Sequence, residues 1–264
     1  YYKNNFTYNR RTNNKIVCLI IVHVFGNAAN IQNLINICKK RNIKIIEDAS
    51  ESLGTKYKNN YLRNKYTGTI GEINTISFNG NKIVTSAGGG MILTDNYNHY
   101  KKAKYLINQS KDDSIKYIHN DIGYNYRISN IHAAIGLAQL EKINFFLKKK
   151  KEIHNLYIKY INTIDGLSIL NGPTYSKNNY WLNILKIDLK IYKYNSYKLV
   201  KVLIDKGIFA RNVWHPNHLQ KKYLKYERYL LEDSLKYCSN SLCLPSSINI
   251  SEKDIKKIAK VLNG

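Results

Sequence analysis

Two short segments carry the residues best suited to chemistry. Residues 47–51 (Glu-Asp-Ala-Ser-Glu) follow an apolar run, and residues 77–82 (Ser-Phe-Asn-Gly-Asn-Lys) precede a triple glycine at 88–90. Asp48 therefore stands at the end of a predicted strand, where α/β sheets bind their ligands. Lys82 stands on a later loop beside another predicted strand, so its amine and the Asp48 carboxylate can converge in one cleft.

A lysine and a carboxylate in one cleft are what pyridoxal phosphate (PLP) chemistry requires. The lysine amine bonds to the cofactor aldehyde, and the carboxylate keeps the pyridine nitrogen protonated so that the ring accepts electrons. The phosphate needs hydroxyl and backbone N–H donors, and Ser77 precedes Lys82 closely enough to reach the same cofactor. Simpler interpretations stay open: Lys82 as a solvated lysine, Asp48 as a helix cap and the glycines as a tight turn.

The sequence around Asp48 has the pattern of a strand–helix–strand unit. Residues 16–23 form a near-continuous apolar run, which predicts a strand buried on both faces of a sheet. Apolar residues at 31, 34, 35 and 38 have helical spacing, and residues 43–46 predict a second strand. A parallel pair joined by a right-handed crossover is expected from this order.

The rest of the chain predicts further α/β structure in two parts. Strands are expected at 73–78 and 91–94, a helix at 97–107 and a long helical region from 129 to 161. Beyond it, the pattern predicts strands at 180–189 and 208–213, a helix at 196–206 and a final helix opened by a capping box of Ser251 and Asp254. We therefore predict a large domain, residues 1–145, that carries the candidate PLP-binding residues, and a second part, residues 146–264, with a bridging helix and a small C-terminal domain.

The composition argues against several classes of protein. The formal net charge of +24 is spread along the chain and comes mainly from Lys, whereas dedicated nucleic-acid binders concentrate Arg, whose fork grips phosphate. No apolar run approaches the roughly 20 residues of a membrane span, and no signal peptide or metal-binding cysteine pattern is evident. We expect a cytoplasmic protein with no nucleic-acid, membrane or metal partner.

A series of motifs along nearly the whole chain resembles one protein family. The motifs are His23-Val24-Phe25-Gly26-Asn27-Ala28, residues 47–51, Ser77-Phe78 with Lys82, Gly88-Gly89-Gly90-Met91, Gly123-Tyr124-Asn125-Tyr126-Arg127, residues 130–140 (NIHAAIGLAQL), Arg211 and Leu244-Pro245. The chain resembles the DegT/DnrJ/StrS sugar aminotransferases, and among them the LegC-like branch, which aminates nucleotide-linked 4-keto-6-deoxy sugars. The resemblance implies the PLP-dependent transferase fold type I of aspartate aminotransferase, with a mixed sheet in the large domain and a smaller C-terminal α/β domain.

The resemblance also implies roles for the cofactor-binding residues. Lys82 would bond to the cofactor and then move the proton between the donor and cofactor carbons. Asp48 would pair with the pyridine nitrogen, Ala49 would lie against the ring, and Ser77 would bind the phosphate. Glu51 stands where many relatives carry Gln, whose side chain contacts the phenolic oxygen of the cofactor. A carboxylate there would repel the phenolate unless it is protonated or turned away.

Partners and substrates follow from the same resemblance. Asn125 would reach the cofactor phosphate of a neighbouring subunit, which implies a homodimer with a shared active site. Tyr126 and Arg127 would face the substrate, with Arg211 as a further residue on the substrate side. The implied reaction moves an amino group from an amino-acid donor, glutamate, to the C4 keto group of a nucleotide sugar in polysaccharide biosynthesis.

Three alternatives stand beside the aminotransferase hypothesis. The family has an upstream segment that contributes to the phosphate site and has no counterpart here, so the chain is expected to be N-terminally truncated. A catalytically inactive fragment, or a regulatory or binding descendant, is therefore the main alternative. A PLP-dependent sugar dehydratase of this family would carry His in place of Lys82, and a nucleic-acid binder would show salt-sensitive binding to DNA.

Overall fold

The computed structural model describes residues 1–264, apart from the side chain at position 60. The chain forms two compact units, the first made of Tyr1–Leu147 with Gly172–Trp181 and the second of Lys148–Asn171 with Leu182–Gly264. The predicted boundary between 145 and 146 lies close to the end of the first long stretch. The division into two domains stays a prediction. It placed residues 172–181 in the second part, whereas the structure places them in the first compact unit.

The elements follow one another along the chain in a mixed α/β order. The strands are β1 (Tyr2–Lys3), β2 (Phe6–Tyr8), β3 (Lys15–Ile16), β4 (Cys18–Val22), β5 (Lys44–Asp48), β6 (Lys56–Tyr57), β7 (Ile73–Ser77), β8 (Gly90–Leu93), β9 (Lys111–Asp113), β10 (Ile118–His119), β11 (Leu167–Ile169), β12 (Ser176–Lys177), β13 (Asn183–Ile187), β14 (Arg211–Asn212) and β15 (Ser241–Leu244). The α-helices are α1 (Gln32–Lys40), α2 (Tyr97–Ile107), α3 (Asn130–Leu140), α4 (Ile143–Ile161), α5 (Ser196–Asp205), α6 (Glu232–Asn240) and α7 (Glu252–Asn263).

A four-stranded sheet with the order β4-β5-β7-β8 organises the first unit. β4, β5 and β7 run parallel, with Ile21 opposite Glu47 and Glu47 opposite Asn74, and β8 pairs antiparallel with β7. Neighbouring parallel strands need a crossover connection, and α1 provides it between β4 and β5. The predicted strand–helix–strand unit is therefore confirmed, and β5 runs on to Asp48.

One face of this sheet is packed and the other is partly open. Ile21 and Ile45 are buried in a core shared with residues of α1. On the opposite face, Ile20 is 61% exposed and Val22 is 45% exposed. The prediction that residues 16–23 are buried on both faces is therefore wrong. Side chains alternate along a strand, and within the described residues only one of the two rows of β4 side chains is covered.

Residues 172–181 join the first unit through a short strand pairing. β12 runs antiparallel to β6, with Ser176 opposite Tyr57. The hydroxyl of Tyr57 donates a hydrogen bond to the carbonyl of Ala29 at 2.8 Å, which ties β6 to the chain just before α1. The returning segment therefore brings Trp181 into the first unit.

The helical region predicted from 129 to 161 consists of two helices, since α3 ends at Leu140 and α4 begins at Ile143. The Ser129 hydroxyl caps α3 by accepting the N–H of His132. None of the α3 residues is buried, whereas α4 buries Tyr157 and Ile161 completely. Among the described residues, no helix combines the length and the apolar character that a membrane crossing requires.

The second unit contains an antiparallel sheet with the order β11-β13-β15-β14. Its core packs the sheet against α4, α5 and α7, with Leu185 and Leu199 fully buried. The predicted capping box of Ser251 and Asp254 is present at the start of α7. The strand predicted at 208–213 is shorter than expected, because β14 lies at the edge of the sheet and pairs only over two residues with β15.

Candidate active site

Asp48 and Ser77 lie at the ends of neighbouring strands, on the open face of the main sheet. Asp48 is the last residue of β5 and stands in register between Val22 and Thr75. Ser77 follows Thr75 by two positions on β7, and the two-residue period of a strand puts both side chains on one face. Both Asp48 and Ser77 are half-buried. Asp48 Oδ1 accepts the N–H of Ser50 at 3.0 Å.

Glu47, the residue before Asp48, points to the packed side of the sheet and is fully buried. Its Oε1 lies 2.9 Å from Nε2 of His23, which is also fully buried. Nδ1 of His23 accepts the N–H of Ala29 at 3.1 Å. Because Nδ1 accepts a hydrogen bond, it carries no proton. His23 is therefore the neutral tautomer with its proton on Nε2, and this N–H donates a hydrogen bond to Glu47.

Backbone N–H groups complete the hydrogen bonding of Glu47. Oε1 accepts from Gly68 at 3.0 Å, and Oε2 accepts from Ile70 at 2.6 Å and from Gly71 at 2.7 Å. Burial raises the pKa of Glu47, but the bonds from His23 and these backbone groups outweigh it and hold the pKa below 4.5. The carboxylate therefore fixes residues 68–71 against β5, directly behind Asp48.

The loop after β5 directs the Glu51 side chain toward the backbone. Glu51 Oε2 accepts the N–H of Phe25 at 2.6 Å. Nδ2 of Asn179 donates to the carbonyls of Glu51 at 2.9 Å and Leu53 at 3.0 Å. Gly26 is needed beside this clamp, because its φ is +88° and an added Cβ would lie 1.9 Å from Asn179 Oδ1. The role of Glu51 beside a cofactor stays a prediction.

Lys82 lies in the loop between β7 and β8 and is half-buried. Its Nζ is 4.2 Å from the ring centroid of Trp181, and its backbone N–H donates to the carbonyl of Asn79 at 3.0 Å. Burial lowers the pKa of the Lys82 amine below 10.5, while the charges of Glu51 and Asp48 act in the opposite direction. The amine and the two carboxylates therefore lie close enough to influence one another, as the sequence predicted for Lys82 and Asp48.

The triple glycine closes the Lys82 loop as a turn into β8. The N–H of Phe78 donates to the carbonyl of Gly89, and the N–H of Ser86 donates to the carbonyl of Phe78, both at 3.0 Å. Gly90 tolerates no side chain, since an added Cβ would lie 2.4 Å from the carbonyl oxygen of Ile76. The glycines therefore set the backbone of the loop that carries Lys82.

The chemistry of this cluster fits PLP. The lysine amine is less basic than usual and can bond to an aldehyde, and a neighbouring carboxylate can pair with a pyridine nitrogen. The Ser77 hydroxyl oxygen accepts the N–H of Asn79 at 3.3 Å, which leaves its hydrogen available to a phosphate oxygen. When bound, the cofactor supplies an electron-accepting ring that stabilises negative charge at the reacting carbon. Lys82, Asp48 and Ser77 are the residues that would hold it.

Ala49 is also in this region, but it is fully buried. Its N–H donates to the carbonyl of Thr75 at 2.9 Å, and an added Cβ at Gly68 would lie 2.8 Å from its own Cβ. Its methyl group therefore packs closely against the 68–71 backbone. The placement of Ala49 against a cofactor ring stays a prediction.

Asn125, predicted to bind the cofactor of a neighbouring subunit, and the predicted substrate-side residues are exposed at their positions. Asn125 forms an isolated antiparallel bridge with Asn108, and the N–H of Tyr126 donates to the carbonyl of Ile107 at 3.1 Å, so this stretch runs along the end of α2. Tyr126 is 74% exposed, and Arg127 is exposed as well. Arg211 is an exposed residue of β14 in the second unit. The roles of these residues stay predictions.

Sequence reasoning missed the residues that hold the site in place. Trp181 falls inside the strand predicted at 180–189, although the observed strand begins at Asn183. Asn179 lies just before that prediction, and His23 belongs to a motif without an assigned role. One signal was available for Trp181, because the chain contains only two tryptophans. Nothing in the local pattern indicated that residues 172–181 contact the loops of Glu51 and Lys82.

Comparison with known proteins places these observations in one family. The DegT/DnrJ/EryC1/StrS aminotransferase family matches residues 9–263. EpsN of Bacillus subtilis, whose naming as a PLP-dependent aminotransferase is provisional, is 34% identical over 248 residues, which are 92% of this chain and 62% of EpsN. GDP-perosamine synthase of Escherichia coli O157:H7 is 33% identical over 256 residues, which are 96% of this chain and 67% of that enzyme.

Solved structures agree with the sequence comparisons. The crystal structure of DesI in the presence of its TDP-sugar product matches with a TM-score of 0.84 at 21% identity, over 94% of this chain and 62% of DesI. The predicted mixed α/β fold of type I, the PLP-dependent transferase fold, is therefore confirmed. The chain spans between 62% and 67% of the length of the two sequence relatives, and the LegC-like branch and the truncation stay predictions. The chain belongs to the DegT/DnrJ/EryC1/StrS aminotransferase family.

Proposed function

We propose that this chain is the cofactor-binding part of a PLP-dependent nucleotide-sugar aminotransferase. The observation that carries the proposal is the placement of Asp48 and Ser77 at the carboxyl ends of the neighbouring strands β5 and β7, with the half-buried Lys82 on the loop that follows β7. The relatives support it, since their names include a GDP-perosamine synthase and a dTDP-4-amino-4,6-dideoxy-D-glucose transaminase.

Each residue of the cluster has a distinct task in this proposal. Lys82 would hold the cofactor through its amine and carry a proton between the reacting carbons. Asp48 would bind the protonated pyridine nitrogen, and Ser77 would donate to the phosphate. Glu51 Oε2 accepts the N–H of Phe25. Glu51 would therefore lie beside the phenolic oxygen of the cofactor without pointing Oε2 at it.

The substrates and the assembly follow the family. Glutamate would be the amino donor, and the acceptor would be the C4 keto group of a nucleotide-linked 4-keto-6-deoxy sugar of the kind used by the LegC-like branch. Asn125 would act across a homodimer, at the cofactor phosphate of the neighbouring subunit. Tyr126, Arg127 and Arg211 would contact the sugar nucleotide.

A second candidate is a catalytically inactive or regulatory member of the family. The observation that favours it is Glu51, a carboxylate that stands where many relatives of the family carry Gln. Such a protein would bind PLP through Lys82 and would not turn over. The two candidates therefore share the cofactor site and differ in amino transfer.

Amino transfer is tested in two half-reactions on the purified chain. The PLP-loaded protein is mixed with glutamate, and 2-oxoglutarate is measured by mass spectrometry. Glutamate and 2-oxoglutarate are then removed, and 4-keto-6-deoxy sugars linked to GDP, UDP or dTDP are added to look for the amino sugar. Lys82→Ala is the matched control.

Formation of 2-oxoglutarate and of an amino sugar by the wild type, with neither in the control, is the expected result. PLP bound at Lys82 with no 2-oxoglutarate would refute the enzyme and favour the inactive member. Amino transfer by Lys82→Ala at the wild-type rate would refute the role of Lys82.

A further inference from the structure

Trp181 lies against Lys82 in a way that differs from the other lysine–aromatic contacts of the chain. Trp181 is only 2% exposed, and its ring centroid lies 4.2 Å from Lys82 Nζ. The difference lies in the burial of the ring and not in the distance: Lys56 is also 4.2 Å from the Tyr66 ring, but that ring is 45% exposed. The Tyr97 ring beside Lys101 is 64% exposed. A cation on a desolvated ring interacts more strongly than one on an exposed ring.

Trp181 is fixed by one hydrogen bond from its ring and one from its backbone. Its Nε1–H donates to the carbonyl of Asn81 at 2.7 Å, and Asn81 is the residue directly before Lys82. The backbone N–H of Trp181 donates to Oδ1 of Asn179 at 2.9 Å, and the same amide group clamps the carbonyl of Glu51. The ring is therefore tied both to the Lys82 loop and to the loop that carries Glu51.

We propose that Trp181 is a positioning residue for Lys82: its ring face holds the side-chain amine and shields it from water, and its ring N–H fixes the peptide group before Lys82. The inference rests on the proposed function for its purpose, since an amine must be unprotonated and correctly placed to bond to an aldehyde. The contacts themselves are independent of any cofactor.

The expected consequence concerns the basicity of Lys82. Burial is the main cause that lowers the Lys82 pKa, and the charged groups that oppose it are Glu51 and Asp48. Trp181 contributes to that burial, because its ring covers the amine at 4.2 Å. Replacing the ring by a polar side chain admits water to the ammonium, and it also removes the attraction between the ring face and the cation. Because burial is the largest influence on the Lys82 pKa, the gain in hydration outweighs the lost attraction, and the pKa should rise toward 10.5.

Two substitutions separate the two contacts of Trp181. Trp181→Phe keeps an aromatic face over the amine and loses the donor to Asn81. Trp181→Gln keeps an N–H donor and loses the face. Competitive acetylation of the cofactor-free chain across pH 6 to 11, followed by mass spectrometry of the Lys82 peptide, gives the midpoint of the Lys82 titration in each variant. Lys101 serves as the internal reference.

The cofactor provides a second readout through PLP titration by absorbance. One unit of pKa changes the fraction of free amine at neutral pH by about tenfold. Trp181→Gln should therefore need severalfold more PLP than the wild type at pH 7.5, and this difference should shrink near pH 10.5. Trp181→Phe should follow the pH dependence of the wild type. A merely structural role would weaken binding equally at every pH.

The inference is supported if the Lys82 midpoint rises in Trp181→Gln and stays in place in Trp181→Phe. It is overturned if the midpoint is unchanged, or falls, in Trp181→Gln. If that variant does not fold, the contact is tested in the wild type by tryptophan fluorescence. The fluorescence of the wild type should change with pH at the Lys82 midpoint, and this transition should be absent in Lys82→Met. A fluorescence signal that is the same in both proteins would overturn the inference.

Failure of the proposed function has a different signature. If the Lys82 midpoint responds to the Trp181 substitutions as expected but the wild type binds no PLP at Lys82, the proposed function is refuted. The inference about the contact of Trp181 with Lys82 then still holds. PLP binding that depends on Lys82, with no effect of either Trp181 substitution on the pH dependence, would refute the inference alone.

Discussion

Replacing Glu47 by Gln preserves the size of a fully buried side chain and removes its charge. The carboxylate accepts four hydrogen bonds, one from His23 and three from the backbone N–H groups of Gly68, Ile70 and Gly71. The amide of Gln has one oxygen and one NH₂ group. The NH₂ group must then face two of the four donors, whichever way the amide is turned.

The size of the effect follows from that count. Two hydrogen bonds to a charged acceptor are lost and two buried donors are left unsatisfied, at about 1–3 kcal/mol for each unsatisfied group. We expect Glu47→Gln to lower the free energy of local unfolding around residues 68–71 by about 3–4 kcal/mol. The matched control is Glu72→Gln. Glu72 pairs with Lys44 at 2.8 Å but is 29% exposed, so its loss should cost less than about 1 kcal/mol.

Hydrogen exchange at the amides of Gly68, Ile70 and Gly71 is the direct assay. Their protection in Glu47→Gln should fall by about 100- to 1,000-fold, which corresponds to the expected loss of free energy. The folded-state pKa of Glu47 lies below 4.5, so its stabilisation is fully present above about pH 5 and is lost as the pH falls through the folded-state pKa. The difference between wild type and variant should therefore shrink below pH 4.5.

Two results would refute this reasoning. Protection at the three amides that stays within a few-fold of the wild type would mean that the carboxylate does not fix the 68–71 backbone. A difference between Glu47→Gln and wild type that grows as the pH falls would show that the pKa of Glu47 is raised by folding and not lowered.

Other predictions test the second unit and the loop beside the site. Lys150 is buried, which lowers its pKa to about 8, and its Nζ donates to the carbonyl of Ser246. As the pH rises from 8 to 10.5, the free energy of unfolding of the wild type, measured in urea, should therefore rise by about 3 kcal/mol relative to that of Lys150→Met. The same pH dependence in both proteins would contradict this. Gly26→Ala should cost about 3 kcal/mol in the same assay, because φ is +88° and the new Cβ meets Asn179. Gly80→Ala, whose Cβ meets nothing within 4 Å, should stay within about 0.5 kcal/mol, and similar costs at both glycines would refute the steric argument.

Local patterns in the sequence were sufficient for most of the main sheet. The apolar runs predicted β4 and β5, and their separation by one helix predicted parallel pairing, because that geometry depends only on neighbouring stretches of chain. The position of Asp48 at a strand end followed from the same pattern. Burial of β4 on both faces was predicted wrongly, since burial depends on what covers a strand and not on its own composition.

The supports of the site depend on contacts between distant residues, so the sequence did not indicate them. Asn179 reaches the Glu51 loop across a separation of 128 residues, and Trp181 reaches Asn81 across 100. The pairing of His23 with Glu47 spans 24 residues and required the register of β4 and β5. Lys82 and Asp48 were identified because their residue types suggested a shared chemistry and because the motifs that contain them resemble those of one family.

PLP binding at Lys82 is the central claim, and an absorbance titration of the purified chain with PLP tests it most directly, beside Lys82→Ala and the exposed-lysine control Lys101→Ala. A near-visible band is expected in the wild type and in Lys101→Ala; it should be missing in Lys82→Ala and should bleach when glutamate is added. A band of equal strength in Lys82→Ala, or no band in the wild type, would contradict it.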